Sequence, residues 1–146
     1  MLLSYHFILG YPYLPDLQLD PQFPSVSMLN WTTGAGTAKY WVSKLLIDTV
    51  DIDHDQAVVT RTTDIDEQHV FSQGFVRKNG RRWVLLVNKR YANIDVFLPG
   101  ATGGTMMTVN EASGFGPPID TKLSLSQITL NPFAVAIVHM PHAEQF

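Results

Sequence analysis

Between Arg81 and Met140 the chain repeats one pattern, in which short apolar bursts alternate with clusters of glycine, proline and asparagine. Trp83–Val87, Ile94–Leu98, Thr105–Val109 and Phe133–Met140 are such bursts, rich in β-branched and long aliphatic residues. Short runs of this kind, spaced by turn chemistry, predict an antiparallel sandwich or barrel. The period of two begins further upstream. Strands are expected at Gln56–Arg61, Gln68–Arg77, Arg81–Asn88, Asn93–Leu98, Gly104–Asn110, Ser126–Leu130 and Phe133–Met140. Asn79-Gly80 sits between two of these runs, and such a pair predicts a hairpin with a type I′ turn, which needs positive φ at both positions.

Upstream of the strands the period changes. Ala38, Trp41, Val42, Leu45, Leu46 and Thr49 fall on one face at helical spacing, with Lys39 and Lys44 off that stripe. This predicts a helix from about Ala38 to Asp48, capped by Thr37 or Thr33. Ser4–Leu9 reads as a short buried strand. Residues 10–36, with Pro12, Pro15, Pro21 and Pro24 among glycine, aspartate and serine, read as a long irregular connection. The expected fold class is mainly β: an antiparallel β-sandwich of about seven to eight strands, preceded by one helix and a long irregular N-terminal segment.

Composition narrows the function. Of 146 residues, 45% are hydrophobic and 16% charged, below the usual quarter or so, which predicts that a partner covers part of the surface. The net charge is −3, and no basic stripe exists to neutralise phosphates, so nucleic acid is not an expected partner. There is no cysteine, which removes disulfides, thiolate nucleophiles and Cys-type zinc sites together. No apolar run approaches the ~20 residues that a membrane-spanning helix needs. The opening MLLSYHFILGY lacks a basic region and carries Tyr5 and His6, so it is read as fold rather than signal peptide. The compartment stays open, and the Asn30-Trp31-Thr32 sequon matters only in a secreted chain.

The strings FPSVSMLNWTTGAGTAKYWVSKLLID, WVLLVNKRYANIDVFLPG, VNEASGFGPP and ITLNPFAVAIVHM resemble the C-terminal part of clan-A glycoside hydrolases of the heparanase-like and β-glucuronidase-like kind. The resemblance rests on the order of elements and on Tyr40-Trp41, Leu85–Lys89 and Leu130–Val138. It implies that Ser4–Leu9 corresponds to the last strand of a (β/α)8 barrel, the helix to its last helix, and Gln56–Met140 to the attached β-sandwich. Residues 1–50 would then be a barrel remnant and 51–146 a sandwich domain. In the family the catalytic carboxylates precede the part that matches, so no residue here inherits a catalytic role. The resemblance implies a terminal fragment or separately encoded descendant of such an enzyme. Its relatives are often secreted or lysosomal.

Candidate chemistry outside that resemblance is sparse. Glycosidic hydrolysis needs two closely set carboxyls, one with a raised pKa. Two acidic clusters, Asp51–Asp55 and Asp64–Glu67, read as solvated turn residues. The first resembles the start of a calcium loop, but Gln56 and Thr62 stand where glycine and glutamate are required. His6, His54, His69, His139 and His142 are dispersed, and no Gly-x-Ser-x-Gly elbow is present. Gly100–Gly104 and Gly114–Gly116 lack the phosphate-cradling pattern and read as turns. Neither a metal nor a cofactor is expected.

Aromatic residues remain. Tyr11, Tyr13, Trp31 and Phe115 fall in expected loops, where they are either structural plugs or platforms for a glycan. Tyr40, Trp41 and Trp83 lie on periodic apolar faces and read as core. Tyr40, Trp41, Leu45 and Leu46 make a wide apolar stripe, which predicts an interface with a second copy or a partner protein. The functional expectation is a non-catalytic β-sandwich module of glycoside-hydrolase origin with a structural or assembly role. The alternatives are a carbohydrate-binding module, or the C-terminal part of a hydrolase whose barrel lies on another segment or chain.

Overall fold

The computed structural model describes residues 28–30, 32–51, 53–58, 60 and 69–141. The expected strand Ser4–Leu9, most of the proline-rich connection and the cluster Asp64–Glu67 lie outside the described residues. Among the described residues one α-helix, α1 (Ala38–Thr49), precedes eight strands. These are β1 (Asp55–Val58), β2 (Val70–Arg77), β3 (Arg82–Asn88), β4 (Ile94–Phe97), β5 (Thr105–Val109), β6 (Ile119–Lys122), β7 (Gln127–Leu130) and β8 (Val135–His139). Six form one antiparallel sheet in the order β1-β2-β3-β8-β5-β6, and β4 pairs with β7 in a second sheet.

The period of two in β3 and β8 explains the layering. Val84, Leu86, Ala136 and Val138 turn toward the small sheet and meet Ile94, Val96, Ile128 and Leu130 in the main core. Trp83, Leu85 and Ile137 turn the other way and meet Trp41, Val42, Leu45 and Leu46 of α1. The large sheet therefore lies between the helix and the small sheet, buried on both faces at its centre. Phe75 stacks on Trp83 with ring centroids 3.8 Å apart and planes 10° from parallel, widening the floor on which the helix rests.

Four expectations change in detail. Thr37 occupies the N-cap of α1, but its hydroxyl donates to Met28 O at 3.0 Å instead of capping the helix. The hairpin joining β2 to β3 forms, yet its turn is not type I′. Gly80 has φ 81°, whereas Asn79 is not in the positive-φ region. Arg77 and Arg81 close a three-residue loop in which Gly80 N donates to Arg77 O at 2.8 Å, a tight turn followed by a left-handed glycine. The third change is β6, which had no counterpart among the expected strands. All four of its residues are exposed, so there was no apolar alternation to detect. Phe133 also leaves the run assigned to β8: it sits at φ 51° in a turn closed by Ala134 N donating to Asn131 O.

Candidate functional site

The second core leaves a cleft where α1 overhangs the end of the large sheet, with a volume of about 390 Å3. Its floor is apolar, made by Leu45, Trp83 and Met107, with Trp41 on the helix side. Pro117 and Pro118 form the opposite wall as the chain enters β6. The rim carries both signs of charge: Lys44 and Asp48 on the helix, Arg77 and Arg81 on the hairpin, Asp120 on β6. His139 closes the end of β8 between them. An apolar floor with a few convergent polar groups is the usual build of a small-ligand site.

The rim charges divide into paired and unpaired groups. Lys44 Nζ donates to Asp48 Oδ2 at 2.7 Å, one helical turn apart. That hydrogen bond raises the pKa of Lys44, with the carboxylate charge second. Arg77 clamps Asp55, which has no side-chain exposure, by Nε to Oδ1 at 2.8 Å and Nη2 to Oδ2 at 2.9 Å. Asp51 N donates to the same carboxylate at 2.8 Å. The Arg77 hydrogen bond is the main reason that Asp55 is held down at a pKa of about 2. The Trp83 indole lies beside the carboxylate and acts in the same direction, although its N–H closes no hydrogen bond of regular geometry.

Asp55 corrects one sequence expectation. The sequence reads it as a solvated turn residue, but it opens β1 opposite Arg77 and is buried by that pairing. Asp51 is likewise held below the ordinary carboxylate range, chiefly by its hydrogen bond to His54 Nδ1 at 2.9 Å. Both displaced carboxyls are thus kept ionised, the reverse of what a glycosidic general acid requires. His139 is held below the usual imidazole range, first by burial and then by Arg77 and Arg81, with Asp120 opposing. At neutral pH it presents a neutral imidazole to the cleft.

The structure brings some of the anticipated residues together here. Trp41 and Leu45 line the cleft, and Tyr40 meets Trp41 edge-on with centroids 5.0 Å apart. Trp41 Nε1 donates to the carbonyl of Phe115 at 3.0 Å, tying the helix to the loop that leads to Pro117 and Pro118. The Phe115 ring itself is exposed. Leu46 packs in the second core. Tyr11, Tyr13 and Trp31 lie outside the described residues. Arg77, Arg81 and Asp120 are not candidates in the sequence, although the basic residues flanking Asn79-Gly80 offer a signal, and His139 is read there only as one of five dispersed histidines. Among the described residues no group of three metal-ligating side chains could hold an ion, and no helix is long and apolar enough to cross a membrane.

No protein-family model and no curated protein matches the sequence. Among solved structures, the chain is similar to a GH30 endoxylanase from Clostridium papyrosolvens C71, with a TM-score of 0.53 and 12% identity. The match covers 77% of this chain and 30% of the endoxylanase, so the chain spans under a third of that enzyme's length. The likeness is one of fold: the chain has a glycoside-hydrolase-like β-rich architecture.

Proposed function

We infer that this chain is a non-catalytic β-sandwich module of glycoside-hydrolase origin whose role is structural, holding neighbouring structure in place. The observation that carries the reading is the seating of α1 on the large sheet. Leu45 is 3% exposed against Trp83 and Ile137, which makes the helix a permanent layer of the sandwich. A helix fixed in this way is a rigid handle by which a sandwich can be attached to other structure. The fold likeness to the endoxylanase supports the origin, and the sequence strings support the finer heparanase-like or β-glucuronidase-like ancestry. In that ancestry residues 1–50 descend from a barrel and 51–146 from the sandwich. A partner chain or second copy at the helix would use the face turned away from the buried Leu45, where Ile47 is 77% exposed.

A second reading, carbohydrate binding, is favoured by one feature, the cleft beside Trp41 with its mixed polar rim. The two readings separate in one set of measurements. Purified chain is assayed for hydrolysis of aryl glycosides and for binding on a glycan array. The structural reading expects neither turnover nor binding. Binding lost in Trp41→Ala would favour the second reading, and turnover abolished by changing one acidic residue would overturn both.

A further inference from the structure

Among the described residues the large sheet ends at β6, and the ladder shows which of its backbone groups these residues leave unused. Leu123 N donates to Gly104 O at 2.9 Å, and Leu123 O accepts from Gly103 N at 2.8 Å. Leu123 therefore turns both backbone groups inward, toward the β5 side. These groups alternate in direction along an antiparallel strand, so Thr121 also faces β5. Asp120 and Lys122 must then turn N–H and C=O to the free edge. All four residues of β6 are exposed, and Asp120 and Lys122 share one face of the sheet.

We propose that β6 is a self-complementary edge to which a second copy of this chain adds antiparallel, about a two-fold axis through Thr121. In that register Asp120 of one copy stands opposite Lys122 of the other, twice. Each opposed pair exchanges two backbone hydrogen bonds through the groups that β5 leaves unused. Charge selects this register from its neighbours. A shift that keeps the same backbone groups opposed centres the axis on Asp120 or on Lys122, and sets like charges against each other. Centring on Asp120 also brings Pro118, which has no N–H, opposite Lys122. A lysine on an edge strand ordinarily keeps other strands away. Here Asp120 supplies its counter-charge only to a copy arriving in the antiparallel sense, so the edge rejects most strands and accepts its own. The result is one continuous sheet of twelve strands, made from the six in each copy. The strands are four residues long, so the contact is small, weak and weakened by salt.

The test is sedimentation velocity on the full chain from about 10 to about 500 μM, at low and high salt. Wild type should rise in average mass with concentration, and less so in high salt. Asp120→Lys and Lys122→Asp should each remain monomeric alone, because like charges then face across the axis. An equimolar mixture of the two should associate, because opposite charges face again. Each side chain is exposed, so neither change disturbs the core, and the mixture reports on the folding of both variants. Wild type that stays monomeric throughout the series would overturn the proposal. So would association that persists undiminished in both single variants, which would move the contact to another surface such as the helix.

Discussion

Asp55 and Arg77 stand directly opposite each other in the β1–β2 ladder, and their side chains close a two-pronged ion pair at 2.8 and 2.9 Å. Arg77 also reaches Thr49 O at the end of α1, at 3.3 Å, so one guanidinium ties an edge strand, its neighbour and the helix. The folded state lowers the pKa of Asp55 from 3.8 to about 2, which means that folding favours the ionised form. That contribution is complete above the unfolded value of 3.8 and is lost as pH falls through about 2. Its size is on the order of 1–2 kcal/mol, discounted from the full shift because Arg77 is 29% exposed. Urea unfolding at pH 7 and pH 2.5 should show Asp55→Asn losing stability at pH 7 and less at pH 2.5. An equal loss at both would mean that the charge contributes nothing.

The helix supplies a second test. Leu45→Ala removes a side chain that is 3% exposed, under Trp83 and Ile137, and should cost about 2–4 kcal/mol. Ile47→Ala, two residues on and 77% exposed, should stay within about 0.5 kcal/mol of wild type. Similar losses at the two positions would show that the helix does not rest on the sheet by the Leu45 face.

Backbone conformation separates two further positions. An added Cβ at Gly80 would meet nothing within 4 Å, so Gly80→Val should be destabilising through its φ of 81° alone. The expected cost is on the order of 1 kcal/mol or more. Phe133 has the opposite problem, a bulky residue already held at φ 51° and 60% exposed. Asparagine tolerates that region better, so Phe133→Asn should melt at or above the wild-type temperature. A clear drop would mean that the ring contact with Tyr91, at 5.9 Å between centroids, outweighs the strain.

What the sequence disclosed depends on which residues touch near neighbours. The stripe of α1 and the strands β3 and β8 were legible because their burial follows a simple period. β6 was not, since Ile119–Lys122 is exposed throughout and only its pairing with β5 makes it a strand. The turn at Asn79-Gly80 was placed correctly but mistyped, because loop length depends on where Arg77 and Arg81 pair and not on the Asn-Gly pair. The cleft was least legible. Its polar groups arrive from α1, the hairpin, β6 and β8, and Asp55 meets Arg77 across 22 residues of chain.

Asn88 makes the last case, and it joins parts of the chain that no local pattern connects. It is 1% exposed at the end of β3. Its Nδ2 donates to Ala92 O at 2.7 Å, to Asn131 O at 2.8 Å and more loosely to Leu130 O at 3.2 Å. Its Oδ1 accepts from Arg90 N at 2.9 Å. The side chain thus locks the turn leaving β3 to the turn entering β8, and holds Tyr91 and Phe133 side by side. Asn88→Ala would leave buried carbonyls without donors, so a loss of about 2–4 kcal/mol is expected. Asn88→Asp is the sharper variant, because it sets a carboxylate against the same carbonyl oxygens. Burial among acceptors raises the pKa of such a group, since only the protonated form can donate. The variant should therefore be much less stable than wild type at neutral pH and recover part of the difference on acidification. Equilibrium unfolding of both proteins at pH 7 and pH 4.5 measures this. A gap between them that does not narrow at the lower pH would show that carbonyl contacts are not what position 88 is built for.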